Sequence, residues 1–543
     1  MNNAEYVKTD SVYGLPIDCK KIKQMTMRKL NRNIYALTGV GLLATGSCSI
    51  QKQEPKYNVL FIIMDDLNTM ESIYGYTEIH TPNYERLAKR SVVFTHAHCP
   101  APVSCPSRTA FITGVAPYHS GVYFNNQRYY DTIDVPNAPV TLFKQFKNNG
   151  YLTASYGKVL HFNNTGFNKK PEEIKMISDD YTPGYFMPSQ DYGYGMKPFI
   201  TDYFCSLDSI AWGNKVWADL VIWGALPDTW DRDDESKQQE DTRNTNRVVA
   251  VLKEKHENPF IAALGIFRPH LPYIVPKRFY DIYPIDKIKI PVGYKEDDLN
   301  DLPPIAVQMA RGDKKYDILK KENLLKSFIQ GYCASITYAD EQLGKVLDAL
   351  ENSEYAKNTI VVLCGDNGYH LGEKEHVQKM ALWDKTTHIP MLYSLPGYTD
   401  KGRIENTAVS LQDIYPTLIS LCKLKPAEGF TPGGVDISPI LKGEKTERGA
   451  PVITTLGKNN HAISSATFRY ISYRDGSEEL YDLQNDPYEW CNLTGKKEYE
   501  DEKNKLKKYV PLENAENKTF FGYLVSKARE QWSSEALYEI MNK

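Results

Sequence analysis

Two pairs of adjacent oxygen donors stand far apart in the chain, Asp65-Asp66 and Asp366-Asn367. Each closes an apolar run, "NVLFIIM" before the first pair and "NTIVVLCG" before the second. An isolated Asp-Asp pair usually caps a helix or closes a turn. Two such pairs at two strand ends make an all-oxygen set of three carboxylates and one amide, which favours a hard cation, Ca²⁺ or Mg²⁺, over zinc. Three carboxylates buried together would also be untenable without a cation. Between the pairs lies "PVSCPSRTAFITG", residues 102–114, with two possible nucleophiles, Ser104 and Cys105, side by side. Pro106 suits the first turn of a helix, where its missing N–H costs nothing. Either nucleophile would then sit near a helix N-terminus, which favours an anion, with Arg108 about one turn further on. Nucleophile, arginine and cation together point to chemistry on a tetrahedral oxyanion.

Two further apolar runs end in polar residues: "GYLTASYGKVLH" in Lys158 and His161, "PFIAALGIFRPHLPY" in Arg268 and His270. The four runs read as buried strands of a parallel sheet. Amphipathic stretches such as "NYERLAKRSV" and "LLKSFIQGYCASITYADEQLGKVLDALEN" alternate with them, the pattern of an α/β fold. Ligands of such sheets sit beyond the carboxyl ends of the strands, so the four polar clusters are expected to converge. The tyrosine-, proline- and aspartate-rich stretches near 163–235 and 275–320 read as irregular loops that wall the pocket. From about 445 the texture changes, and "ATFRYISYRDGSEELYDLQNDPYEWCNL" reads as a hairpin turned at Asp475-Gly476. The expected organisation is a leader and linker over 1–54, a catalytic domain over 55–440 and a smaller α+β subdomain over 441–543.

The 543 residues carry a net charge of −3 with no dense basic patch, which argues against nucleic acid as a partner. The nine cysteines form no CxxC pair, so neither a zinc ribbon nor a disulfide scaffold is expected. Near the start, basic "MRKLNRN" precedes the short apolar run "IYALTGVGLLATGS" and then Cys48. This resembles a bacterial lipoprotein signal with Cys48 acylated, although Thr45 stands at the usual leucine position; a plain secretory signal is the alternative. Export to the periplasm or outer membrane of a Gram-negative bacterium follows, with a lipid anchor as the one membrane attachment.

"SCPSRTAFITG" is similar to the signature of the type I, formylglycine-dependent sulfatases: Cys or Ser, any residue, Pro-Ser-Arg, and a glycine six residues after the arginine. The register places Ser104, not Cys105, at the modified position. "NVLFIIMDDLN", "HTPNYERLAKRSVVFTHAH", "GYLTASYGKVLHF", "GDNGYHLGEKEHVQK" and "ELYDLQNDPYEWCNL" resemble further sulfatase blocks in family order. "GKVLH", "FRPHLPY", "DLPPIA" and "GYCASITYADEQLG" resemble the iduronate-2-sulfatase branch, which carries histidine where this chain has Asn367.

The resemblance implies an alkaline-phosphatase-like fold, a mixed and mostly parallel sheet between helices. It implies Ca²⁺ held by Asp65, Asp66, Ser104, Asp366 and Asn367, and Ser104 oxidised to formylglycine by an anaerobic sulfatase-maturing enzyme. Plain serine would be left as a stable sulfate ester, whereas one hydroxyl of a formylglycine hydrate attacks sulfur and the other lets the aldehyde re-form and expel sulfate. Arg108 and His161 are implied to hold the hydrate, and Lys158 and Lys379 to neutralise sulfate oxygens. His270 is implied to protonate the leaving sugar oxygen, with Lys379 assisting. Arg268, His370 and His376 either line the pocket or cap loops. The implied substrate is a sulfated carbohydrate, with a 2-O-sulfated uronate as the lead. Two rival readings are a phosphodiesterase or phosphonate hydrolase of the same superfamily, which would want further metal ligands, and a sulfated-glycan-binding lipoprotein without turnover.

Overall fold

The computed structural model describes residues 56–76, 78–125, 139–161, 180–183, 224–226, 238–312 and 314–517. Cys48, the whole 1–54 leader and most of the 163–235 stretch lie outside the described residues. Eight strands form the central sheet: β1 (Asn58–Asp65), β2 (Val92–His98), β3 (Leu152–Gly157), β4 (Asp180–Pro183), β6 (Phe260–Pro269), β8 (Thr359–Gly365), β11 (Met391–Ser394) and β12 (Arg403–Ser410). Their order is β12-β2-β11-β8-β1-β6-β3-β4, and β11 alone runs antiparallel to its neighbours. The four strands expected to deliver polar residues, β3, β6, β1 and β8, are therefore consecutive and parallel.

Their apolar composition follows from burial on both faces. Leu60, Ile62 and Met64 of β1 face one layer, with Ala262 and Leu264 of β6 beside them. That layer is built from the helices α1 (Pro82–Ala88), α3 (Glu240–Lys253) and α4 (Leu325–Glu351). Val59, Phe61 and Ile63 face the other, with Phe111 and Ile112 of α2 (Ser104–Thr113) and Leu418 of the 414–421 helix. The chain thus forms the alkaline-phosphatase-like, helix-sheet-helix sandwich expected. Among the described residues no helix is long and apolar enough to cross a membrane.

The second sheet is antiparallel and four-stranded: β13 (Val452–Thr455), β14 (His461–Ser464), β15 (Phe468–Ser472) and β16 (Glu478–Asp482). β15 and β16 are the hairpin read at Asp475-Gly476, and Gly476 takes the left-handed φ of 86° that such a turn requires. Two small pairs complete the strands among the described residues, β5 (Gly224–Leu226) with β7 (Ile274–Pro276), and β9 (His370–Leu371) with β10 (Val377–Gln378). The 275–320 stretch is not purely irregular. It holds short helices at Lys277–Asp281, Pro304–Arg311 and Lys315–Lys321. The second begins with Pro304, where proline's fixed φ favours a first turn; a proline-rich composition hid a helix start.

Candidate active site

Each polar cluster leaves its strand at the carboxyl end, and the four meet. Asp65 is the last residue of β1, and Asp66 follows in the left-handed region at φ 59°. That conformation is costly for a residue with a Cβ and persists where its surroundings hold it. Here the Asp66 N–H donates to Asp366 Oδ1 at 2.9 Å, and its carbonyl accepts from the Tyr332 hydroxyl of α4 at 2.7 Å. At the end of β3, Gly157 at φ 78° turns the chain against β6. A Cβ there would lie 2.1 Å from the Gly265 carbonyl oxygen, so glycine is needed to bring Lys158 in. The first two turns of α2 supply Ser104, Ser107 and Arg108, all fully buried.

Asp65, Asp66 and Asp366 each offer an oxygen within 4.8 Å of the others, and all three are buried. The Ser104 hydroxyl lies 3.2 Å from Asp65 Oδ1 and 3.1 Å from Asn367 Oδ1, and accepts from Lys379 Nζ at 3.1 Å. Asn367 Nδ2 donates to Asp66 Oδ1 at 2.9 Å. Arg108 donates through Nε to Asp366 Oδ2 at 2.8 Å and through Nη2 to Asp65 Oδ1 at 3.1 Å; its Nη1 donates to the Lys158 carbonyl. Lys158 Nζ pairs with Asp65 Oδ2, and Lys379 Nζ with Asp66 Oδ1 at 2.6 Å. His270 Nε2 stands 3.6 Å from Asp66 Oδ2 and 4.0 Å from Asp65 Oδ2. Beside Ser104, the Cys105 backbone N–H donates to Asn125 Oδ1 at 3.0 Å, while the Ser104 hydroxyl reaches the Asp65 carboxylate.

The charges are balanced within the chain, three carboxylates against Arg108, Lys158 and Lys379. Charge compensation alone therefore does not demand an ion. What fits a hard divalent cation is the donor set itself, three carboxylates, the Asn367 amide oxygen and the residue-104 oxygen in one buried cluster.

The titrations follow from burial against this charge. Burial pushes Asp65 up, but Lys158, His270 and Arg108 outweigh it and hold the carboxyl below its usual range. Burial likewise lowers Lys379, yet Asp66, Asp65 and Asp366 leave its ammonium raised. Lys158 is pushed down to about 8 by burial, with Asp65 opposing. His270 falls to about 4, through burial with Lys158 and Lys379 reinforcing it and Asp66 opposing. His161 is lowered well below its ordinary value by burial and then by Lys158, Lys379 and Arg108, which places it in the field of the same cations.

The remaining expected residues stand elsewhere. Arg268 donates to the Ile274 carbonyl at 2.9 Å and reaches Gln239 Oε1 at 3.4 Å, so its guanidinium ties β6 to β7. His370 Nδ1 meets His376 Nδ1 at 3.1 Å, and the His370 ring stacks on Trp383. Ser107, whose hydroxyl donates to the Asp366 carbonyl at 2.5 Å, and Tyr332 are supporting residues that the sequence did not single out. Ser107 was within the quoted signature; Tyr332 was visible only as one apolar position of a long helix.

The sequence profile of the Sulfatase family matches residues 57–424, and that of the N-sulphoglucosamine sulphohydrolase C-terminal region matches residues 372–517. A protein named sulfatase from Formosa agariphila is 36% identical over 490 residues, 88% of this chain and 91% of its own. Mouse iduronate 2-sulfatase is 29% identical over 412 residues, 68% of this chain and 69% of its own. Among solved structures, a 2-O GAG sulfatase superposes with a TM-score of 0.60 at 21% identity, covering 84% of this chain and 92% of its own. The phosphonate monoester hydrolase of Agrobacterium radiobacter superposes with a TM-score of 0.63 at 19% identity, covering 83% and 94%. Both superpositions speak to the fold.

Proposed function

The chain belongs to the sulfatase family and is a sulfuric ester hydrolase; from that premise we propose that it removes 2-O-sulfate from a uronate in a sulfated glycan fragment, using formylglycine at position 104 and a calcium ion. The observation that carries the mechanism is the setting of Ser104 Oγ, between Asp65 Oδ1, Asn367 Oδ1 and Lys379 Nζ at 3.1–3.2 Å. The substrate class rests on the likeness to iduronate 2-sulfatase over two thirds of the chain.

Formylglycine hydrate would supply a nucleophilic hydroxyl and an exit for sulfate that a serine ester lacks. Calcium held by Asp65, Asp66, Asp366, Asn367 and residue 104 would act as a Lewis acid on the ester. The chain does the rest. Lys158 and Lys379, now paired with Asp65 and Asp66, are placed to take sulfate oxygens once a cation occupies those carboxylates. Arg108 fixes Asp65 and Asp366 relative to the first turn of α2, and with His161 holds the hydrate. His270 protonates the leaving sugar oxygen, with Lys379 assisting. A bound sulfate offsets the two lysines that depress His270 and so raises it toward the range useful for proton donation. Export as a lipoprotein acylated on Cys48 belongs to the same proposal, and Cys48→Ala should abolish fatty-acid labelling of the expressed protein.

The test begins with the peptide "SVVFTHAHCPAPVSCPSR" from protein co-expressed with an anaerobic maturing enzyme. Fragmentation should locate the loss of two hydrogens at Ser104. Sulfate release from defined 2-O-, 4-O- and 6-O-sulfated disaccharides should then favour the 2-O-sulfated uronate. Conversion at Cys105, or turnover of a phosphonate or phosphodiester by unmodified Ser104 protein, would overturn this reading.

A further inference from the structure

We propose that Arg469 and Glu479, on the C-terminal antiparallel sheet, are positioning residues for Lys379; the proposal rests on the reading of Lys379 as a cation that meets the sulfate. The backbone around Lys379 is unusual. Lys374, Glu375, Gln378 and Met380 take φ values of 54°, 44°, 73° and 77°, four left-handed residues with side chains in seven positions, two of them flanking Lys379. Such conformations last only where neighbours over-determine them. Before Lys379 the neighbours are Lys374 Nζ on Asp298 Oδ1 at 3.3 Å, Arg311 on Glu375, and Lys315 Nζ on Gln378 Oε1 at 2.9 Å. Immediately after it, the Met380 N–H donates to the Pro102 carbonyl at 3.1 Å, two residues before Ser104.

Beyond Met380 the C-terminal sheet takes over. Arg469 of β15 is fully buried and donates to Thr387 Oγ1 at 2.7 Å and Asp384 Oδ1 at 2.6 Å. Glu479 of β16, also fully buried, accepts from Trp383 Nε1 at 2.8 Å, Tyr473 at 2.6 Å and Tyr481 at 2.5 Å. Glu489 closes the clamp, accepting from the Asp384 N–H at 2.7 Å while its Oε1 lies 2.8 Å from Arg469 Nε. Neither Arg469 nor Glu479 bonds a member of the carboxylate cluster; both bond the segment 382–387, which begins three residues after Lys379. A lysine side chain is a flexible stem, so its ammonium finds Asp66 and Ser104 only if the backbone beneath it is fixed. Releasing the far end of the segment lets the left-handed residues relax and moves that ammonium, and displacements near 1 Å cost catalysis about a hundredfold.

The test is a double-mutant cycle on matured enzyme with a 2-O-sulfated uronate disaccharide. Arg469→Lys keeps the charge but loses the guanidinium fork, and should lower kcat by about 10- to 100-fold with KM nearly unchanged. In a Lys379→Ala background the same substitution should cost less than about threefold, because the residue it serves is gone. Equal costs in both backgrounds overturn the positioning role and leave the sulfatase reading standing. A Lys379→Ala enzyme as fast as the wild type overturns the role of Lys379 instead. Trp383→Phe removes the bond to Glu479 and trims the ring that stacks on His370, and it carries the same cycle if Arg469→Lys does not fold. A second readout needs no turnover: amine acylation followed by mass spectrometry should label Lys379 at least about fivefold faster in Arg469→Lys or Trp383→Phe than in the wild type, with exposed Lys89 unchanged. Unchanged labelling of Lys379 overturns the proposal even if no substrate is turned over.

Discussion

Arg108 and Lys379 are both cations among buried carboxylates, yet they should fail differently when removed. Arg108 is fully buried and shared by Asp65 and Asp366. Arg108→Met leaves two buried carboxylates short of their partner, and breaking such a pair costs about 3–5 kcal/mol. Urea unfolding of the unmatured protein should show that loss, and an unchanged midpoint would refute the assignment. Lys379 sits at the rim, its side chain 12% exposed. Lys379→Ala should lower kcat by about 10²–10³, the scale of one lost oxyanion-type donor, with a small stability change. The donor set also predicts a metal effect. Calcium at about 100 times its dissociation constant should stabilise the folded protein by about 2.7 kcal/mol and a chelator should reverse this, seen as a Tm shift. No shift with calcium, or a larger one with zinc, would count against the hard-cation assignment.

At the scale of the element, the clamp between β15, β16 and the 382–387 segment carries its own pH signature. Burial pushes Glu489 up to about 7, with Arg469 opposing and Asp384 reinforcing. Its folded form therefore keeps a proton that the unfolded glutamate releases above about 4.5. Stability from this group is fully present below about pH 4.5 and is lost as the pH rises through 7, on the order of 3 kcal/mol in all. Glu489→Gln removes the titration, so the difference in unfolding free energy between wild type and variant should change in that direction between pH 5 and 8. A difference that moves the other way would mean the carboxylate is held ionised. None of this clamp was legible in the sequence, whereas the carboxylate cluster was. Asp65, Lys158, His270 and Asp366 each close or follow a strand that announces itself as an apolar run, and the rule for parallel sheets brings such ends together. Arg469 reads as one charged residue in an ordinary hairpin. Its partners Asp384 and Thr387 lie 85 and 82 residues earlier, and no local pattern specifies that pairing. Two of the short helices of 275–320, Lys277–Asp281 and Pro304–Arg311, escape the sequence for a local reason, because proline at a helix start and proline in a loop look alike.

For the whole molecule, the question is whether the C-terminal subdomain, whose antiparallel sheet follows the change of texture near residue 445, folds apart from the catalytic layers. Its packing ties it to them. One apolar cluster takes Val103, Tyr123 and Trp383 from the catalytic layers and Ala462, Ile471 and Tyr481 from the second sheet, with Leu456 just after β13. Polar ties run the same way: Thr454 Oγ1 donates to the Cys99 carbonyl at 2.6 Å, and the Thr455 N–H donates to the Pro100 carbonyl at 2.9 Å. Both carbonyls belong to the stretch that leads into Ser104. Separating the sheet would expose Trp383, strand Asp384 without Arg469 and loosen the approach to the nucleophile at once. Regions joined by a shared core and buried ion pairs unfold together, because neither part keeps its stability alone. Calorimetry on residues 55–543 should therefore give one transition with equal calorimetric and van't Hoff enthalpies, and in urea the loss of sulfate release should coincide with the change in tryptophan fluorescence. A chain ending at residue 444 should not yield a soluble enzyme. Two separate transitions, or a truncated chain that binds calcium and folds, would show that the sheet is an appendage and that the site is complete without it.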